Sequence, residues 1–360
     1  MKIVFGLGHP AHFHLYKNVI SKLLISHNIF IIISNKDVLK LLLDSSGFKY
    51  YVIADSKLNE SLSAKILKLI RSTQKLYRLV KEFNPDLYVS CLSQLVWVAK
   101  LLRKKSLFTA EDDIHYTLLQ GLITYPFVST ILTPSVVNTK PFHYKRIGYS
   151  GYHKLAYLHP NQFKPQLDIK NKYIKAERYF LIRTVNQNAY HDLNAKGLEP
   201  GILIEIIKLL EKIGEVYITS EKPLPPEFDK YRLQIDPKDI HHLLFYADLF
   251  IADSQSMSVE AAMLGTPSIR YNNFAGRISV INELEKKYEL TYSLDTSEKK
   301  KLLPLIKEII STKDINFQDR RRKMLADKID VTAFMLWFIE NYPSSVKIMK
   351  KNPNYQYNFK

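Results

Sequence analysis

Residues 247–277 read ADLFIADSQSMSVEAAMLGTPSIRYNNFAGR. Residues 249–252 form a short apolar run, 253–258 a cluster of small polar residues, and 259–264 a helix-like block stopped by Gly265. This order predicts a strand, a polar turn, a helix and then a second strand over 268–271. In such a unit the helix N-terminus lies beyond the carboxyl end of the first strand. Its unpaired backbone N–H groups and the helix dipole favour an anion there. A phosphate-bearing ligand is one reading, and an ordinary βαβ unit with a capped helix is the other. Glu260 follows Ser256 at one position too many for a capping box, so its carboxylate is not obviously engaged in capping.

The same alternation extends outward in both directions. Upstream, a strand starts at Tyr179 and runs into Arg183, a helix is predicted over 202–210, a strand over 216–219 and a helix over 240–246. In the first half, strands are predicted at 3–5, 29–33, 49–53, 87–90 and 106–109, with helices at 15–24, 38–43, 61–83 and 95–102. Residues 136–163, rich in Tyr, His, Gly and Pro with little periodicity, read as the link between domains. The pattern therefore predicts two parallel-sheet α/β domains with a cleft between the carboxyl ends of their strands. The expected divisions are 1–160, 161–330, and a C-terminal helix with a basic, mobile tail over 331–360.

A chain of 360 residues with 46% hydrophobic and 24% charged residues is that of a folded protein of about two domains. The start, MKIVFGLGHP, lacks the pattern of a signal peptide, and no apolar stretch approaches the ~18 residues that span a bilayer. The single Cys91 excludes an internal disulfide and a Cys-based metal site, in keeping with a cytoplasmic location. Lys and Arg number 52 against 35 Asp and Glu, a net +17. This excess is spread along the chain without any nucleic-acid-binding motif, so no nucleic-acid partner is expected. It fits a phosphate-bearing small molecule or peripheral contact with an anionic membrane at its inner face. The segment 61–83 sets cations at helical spacing against an apolar stripe, either as a solvated surface face or as a membrane-apposed one.

Two further loops carry candidate chemistry. Gly8-His9-Pro10-Ala11-His12 follows the first strand but lacks GxGxxG, so a dinucleotide site is poorly supported. Without acidic or Cys partners nearby, its histidines point to substrate contact, acid-base work or capping rather than a metal. Glu111-Asp112-Asp113 follows a predicted strand. Crowding of three carboxylates is expected to raise the pKa of at least one, which suits a general base, with a surface turn as the alternative.

Taken together, Gly8 to His12, Gly151-Tyr152-His153-Lys154-Leu155-Ala156-Tyr157-Leu158, Asn188-Ala189-Tyr190-His191-Asp192, Asp239-Ile240-His241-His242-Leu243-Leu244, and Asp253 to Met257 with Glu260 to Pro267 resemble the domain of unknown function 354 family over most of the chain. That family is similar in fold to the GT-B glycosyltransferases and the non-hydrolysing UDP-N-acetylglucosamine 2-epimerases. The resemblance implies a GT-B-like α/β fold, two Rossmann-like parallel-sheet domains facing a central cleft, with a nucleotide-diphosphate sugar, UDP-linked, held mainly by the C-terminal domain. It implies contacts to the diphosphate from Ser254, Ser256 and Met257, with Arg183 or Arg270 completing charge neutralisation without a metal. Glu260 is expected on the ribose, and Asn273 and Arg277 on sugar or phosphate. His9, His12, Glu111 and Asp112 are the candidates for acceptor-side acid-base chemistry. The implied function is metal-independent, cofactor-free glycosyl transfer to a glycan or lipid-linked acceptor in surface-polysaccharide biosynthesis. A 2-epimerase and a non-catalytic nucleotide-sugar-binding protein are the alternatives. The epimerase pattern has an Asp where this chain has Ser90-Cys91-Leu92-Ser93-Gln94.

Overall fold

Short runs of β-branched and aromatic residues alternate with longer amphipathic stretches along the chain, the pattern that parallel strands joined by helical crossovers require. The computed structural model describes residues 1–53, 62–184, 197–220, 223–273, 275–312 and 316–360. These form two compact units, residues 1–157 with 329–360, and residues 158–328.

In the first unit the elements are β1 (Lys2–Leu7), α1 (Pro10–Leu23), β2 (Asn28–Ser34), α2 (Asp37–Ser45), β3 (Tyr50–Ile53), α3 (Leu62–Phe83), β4 (Leu87–Ser90), α4 (Ser93–Leu101), β5 (Lys105–Thr109), α5 (Leu118–Thr124), β6 (Thr130–Pro134), β7 (Arg146–Tyr149) and α6 (Leu155–Leu158). The strands pair in the order β3-β2-β1-β4-β5-β6-β7, parallel at every step. The strand order reverses between β1 and β4, which opens a crevice beyond their carboxyl ends. A Cβ at Gly8 would lie 2.7 Å from Leu92 Cδ2, so any side chain at residue 8 would make Leu92 in the loop after β4 shift.

The second unit contains α7 (Leu167–Tyr173), β8 (Tyr179–Thr184), α8 (Pro200–Leu210), β9 (Glu215–Ser220), α9 (Ile240–Tyr246), β10 (Leu249–Ala252), α10 (Gln255–Leu264), β11 (Ser268–Tyr271), α11 (Ser279–Lys286), β12 (Tyr292–Leu294), α12 (Lys299–Ser311) and α13 (Phe317–Asp327). Its strands run β12-β11-β10-β8-β9, again all parallel. Here the order reverses between β8 and β10. The strand interiors are nearly all buried, as parallel sheets covered on both faces require.

Three expectations are refined. Residues 136–163 do hold the boundary between the units, after Tyr157, but they also contain β7, which joins the sheet edge beside β6 with Ile147 and Tyr149 buried. Four residues are too few to show a period. The segment after residue 330 is not a separate piece with a mobile tail. It forms α14 (Val331–Glu340) and α15 (Ser344–Lys351), and a terminal turn folds back so that Tyr355 and Phe359 lie 4.7 and 5.3 Å from the Trp337 ring. α14 packs on α1, and Thr332 Oγ1 and Asn18 Nδ2 both donate to Ala156 O. Finally, α10 begins at Gln255, so part of the small polar cluster before the helix-like block 259–264 forms its first turn. Its second half is buried all round, so no amphipathic stripe marks where it starts.

Candidate functional site

Because the strands of the first unit are parallel, the loops after β1, β4, β5 and β7 emerge along one edge. The chemistry gathers there. Pro10 occupies the first turn of α1, where its missing N–H is harmless, and His9 is the N-cap, its Nδ1 accepting from Ala11 N at 3.2 Å. That accounts for His9 as a cap, the plainest of its expected roles. His12 is half-buried one turn in, and its Nδ1 accepts from Gly8 N at 3.0 Å. A ring nitrogen that accepts from a backbone N–H carries no proton, so the neutral tautomer has its hydrogen on Nε2. Burial, and after it His9, His153, Lys154 and Lys36, hold the His12 pKa well below the ordinary histidine value. In this tautomer His12 presents Nε2–H as a hydrogen-bond donor.

The carboxylate trio does not act as a crowded cluster. Glu111 Oε1 accepts from His153 N at 2.8 Å, and Oε2 lies 2.5 Å from Lys154 Nζ and 3.9 Å from His153 Nδ1. Burial pushes its pKa up, but Lys154, His153 and the backbone N–H outweigh that, and the net direction is down. Glu111 is thus not the raised member of the trio: it is ionised at neutral pH. Asp113 turns away to accept from Asn138 N at 2.7 Å. Asp112 lies on the Tyr125 side, where burial first and then Asp112 and Asp113 raise the phenol pKa.

His153 and Lys154 were legible only as part of a motif, with no role assigned. His153 is 8% exposed, and its Nε2 has no hydrogen-bond partner among the described residues. Burial lowers its pKa to about 4, against the pull of Glu111 and with a further push from Lys154. Beneath them, Tyr16 and Cys91 both bond Thr109 Oγ1, at 2.6 and 2.9 Å. Burial raises the Cys91 thiol to about 11, so it is no thiolate at neutral pH. Among the described residues no three His, Cys, Asp or Glu side chains are grouped to hold a metal.

In the second unit the switch point lies between β8 and β10, and Arg183 pairs in register with Ala252. Arg183 therefore sits at the carboxyl end of β8, beside the turn that opens α10. Ser254 is the N-cap of that helix, but its side chain makes no capping bond, and Ser256 and Met257 are half-buried in the first turn. Glu260, one turn further on and 6% exposed, faces His241 Nε2 at 3.3 Å. The histidine of the Asp239–Leu244 motif is thus its counterpart.

Arg270 is held inside the fold beneath the turn. It is 0% exposed, and its Nε and Nη2 donate to Asn272 Oδ1 at 3.2 and 3.0 Å. Asn272 Nδ2 in turn donates to Asp253 O at 3.0 Å. Arg270 thereby braces the β10–α10 turn from below. Its burial lowers its pKa to about 10, offset in part by Glu285. Asn273 is half-buried and Arg277 exposed on the loop after β11, where Arg277 lowers the Asp295 pKa as a minor contributor after Ser297. The Asn188–Asp192 motif and His191 lie outside the described residues.

The family model described as "Protein of unknown function (DUF354)" matches residues 1–342. No curated protein matches the sequence. Among solved structures, the chain is similar to the UDP-GlcNAc 2-epimerase of Neisseria meningitidis bound to UDP-GlcNAc, with TM-score 0.63 at 14% identity over 94% of this chain and 99% of that one. The UDP-GlcNAc 2-epimerase of Methanocaldococcus jannaschii gives 0.64 at 14% over 90% and 98%. A spinosyn rhamnosyltransferase complexed with spinosyn aglycone gives 0.59 at 14% over 94% and 98%. At such identities the likeness shows the fold, that of GT-B glycosyltransferases and these epimerases.

Proposed function

Since the chain belongs to the DUF354 family, we propose that it is a glycosyltransferase using a nucleotide-diphosphate sugar, UDP-linked, in surface-polysaccharide biosynthesis. The observation that carries this reading is the first turn of α10: its N-cap Ser254 makes no side-chain capping bond, Arg183 stands beside it in register, and a buried carboxylate lies one turn below. Diphosphate oxygens accept from the N–H groups of residues 255–257 and from the Ser254 and Ser256 hydroxyls, while Arg183 supplies a fixed positive charge, so no metal is called for. Glu260, oriented by His241, accepts from the ribose hydroxyls. Asn273 and Arg277 serve the sugar or phosphate.

In the first unit, His153 is the base. Glu111 lies toward its Nδ1, which favours the hydrogen on that nitrogen and leaves Nε2 to take the acceptor proton. The acceptor oxygen bonds to the anomeric carbon, the bond from that carbon to the diphosphate breaks, and the nucleoside diphosphate leaves. The ionised Glu111 stabilises the imidazolium formed. His12 donates through Nε2 to an oxygen of the sugar or acceptor. The acceptor is a glycan or a lipid-linked sugar.

A 2-epimerase is the second reading, favoured by an ionised glutamate following β5. Against it, Cys91 stands locked to Thr109 in the loop after β4, and no carboxylate takes its place. A thermal-shift screen of nucleotide sugars on wild type and Glu260→Ala tests donor binding, and absence of stabilisation by any nucleotide sinks the reading. Incubating a bound UDP-sugar without acceptor then separates the classes: epimerised sugar or glycal with UDP indicates the epimerase, and intact donor the transferase. Binding without turnover on any acceptor indicates a non-catalytic binding protein.

A further inference from the structure

The helices covering one face of the first sheet present apolar side chains to solvent in a cluster. In α5, Leu118, Leu119 and Leu122 are 53%, 64% and 49% exposed, and Phe127 just beyond it is 46% exposed. The helix is held in that orientation by α4: Trp97 Nε1 donates to Ile123 O at 2.6 Å, and Ser93 Oγ meets Thr124 Oγ1 at 2.6 Å. Gly121 and Thr124 therefore face inward and the leucines outward. On the other side of α4, joined to it by the bond from Gln94 Nε2 to Ser72 Oγ, α3 exposes Leu67 and Ile70. Arg71, Arg78 and Lys81 share that outward face at helical spacing, and all three are exposed.

Single exposed leucines are ordinary, but a cluster of them flanked by cations has the composition of a surface that lies in a bilayer interface. A second copy paired through α3 would set Arg71, Arg78 and Lys81 among identical cations, and one paired through α5 alone would leave them unmatched. Lipid phosphates complement the same charges. The net +17 of the chain acts in the same direction. No described helix is long and apolar enough to cross a membrane, so the contact is with one surface only.

We propose that the α3–α5 face docks onto an anionic bilayer, with Leu118, Leu119 and Leu122 at the acyl boundary and the α3 cations on lipid phosphates. The proposal does not rest on the nucleotide-sugar reading. α5 starts at the carboxyl edge of the sheet, shortly after Glu111 in the chain, so docking brings the Glu111–His153 edge to the lipid surface.

Flotation of the full chain with vesicles of phosphatidylcholine alone, and of phosphatidylcholine mixed with phosphatidylglycerol, tests this. Binding is expected only to the mixed vesicles and to weaken with salt. The triple change Leu118→Glu, Leu119→Glu and Leu122→Glu is expected to lower it at least ~tenfold while circular dichroism stays that of the wild type. As a second variant, Arg71→Glu, Arg78→Glu and Lys81→Glu is expected to abolish the preference for anionic lipid. The proposal is overturned by absence of flotation, by flotation indifferent to both variants, or by a dimer in light scattering that the leucine variant dissolves.

Discussion

Lys154 Nζ lies 2.5 Å from Glu111 Oε2, tying the segment after β7 to the end of β5 across the carboxyl edge of the first sheet. Both side chains are largely buried, so each charge depends on the other for its solvation. The pair also decides the state of its neighbours, because the Glu111 it keeps ionised faces the His153 ring.

Lys154→Met leaves Glu111 buried with only the backbone N–H and His153 against it. Loss on the order of 3–5 kcal/mol in urea unfolding at pH 7 is expected, as for a buried pair broken from one side. The folded Glu111 pKa is depressed, so its contribution is present above the unfolded carboxylate value and lost as pH falls through the folded one. In the variant the acid limb of the stability profile moves to higher pH. An unchanged limb would mean that Lys154 does not hold the carboxylate.

His153 predicts a second pH dependence, at higher pH. Its folded pKa is about 4 against 6.5 when unfolded. The unfolded chain binds the proton first, so stability falls as pH drops from 6.5 toward 4, by up to roughly 1.4 kcal/mol per pH unit. His12, shifted in the same direction, adds to the slope. Replacing His153 with Gln should flatten the profile between pH 6.5 and 4. Melting curves of both proteins across that window check it, and parallel profiles would count against the assignment.

Arg183→Ala should weaken a nucleoside diphosphate by about tenfold or more, consistent with loss of a charge-assisted hydrogen bond. Uridine, lacking phosphate, should be far less affected. Calorimetric titration of both ligands separates a phosphate contact from general damage, and equal losses for the two would exclude the contact.

Asn272→Leu removes the acceptor for Arg270 and the donor to Asp253 O together. A guanidinium left buried without that acceptor costs about 2–4 kcal/mol. Because the β10–α10 turn loses its brace, nucleotide affinity is expected to fall as well. Chemical denaturation and calorimetry on one preparation read both effects; a stable variant with weakened binding would assign Asn272 to the ligand instead.

Several elements were legible with little error. The strand at 249–252 and the helix at 240–246 match their predicted bounds, because apolar residues fill the strand and end the helix, and polar residues lie on either side of each. The strand β7 was missed, as it is four residues long at a sheet edge with only Ile147 and Tyr149 buried. Arg270 was read as a ligand contact because a basic residue near a presumed anion site has that chemistry. Its burial beneath the turn is invisible without the strand register. Crowding among Glu111, Asp112 and Asp113 does not set the state of the Glu111 carboxyl. Its pKa is lowered by Lys154, which is distant in sequence and near in space.

By itself the sequence determined the alternation of strand and helix, the glycines at loop approaches, and the residues able to meet an anion or move a proton. These follow from side-chain period and local backbone sterics, which act over a few residues. Only the tertiary structure decided which of those residues meet. Strand order sets His153 and Lys154 against Glu111, His241 against Glu260, and Arg183 beside the start of α10. Charge state and tautomer depend on burial and on partners a few ångströms away, and folding brings those partners together across separations no sequence period records.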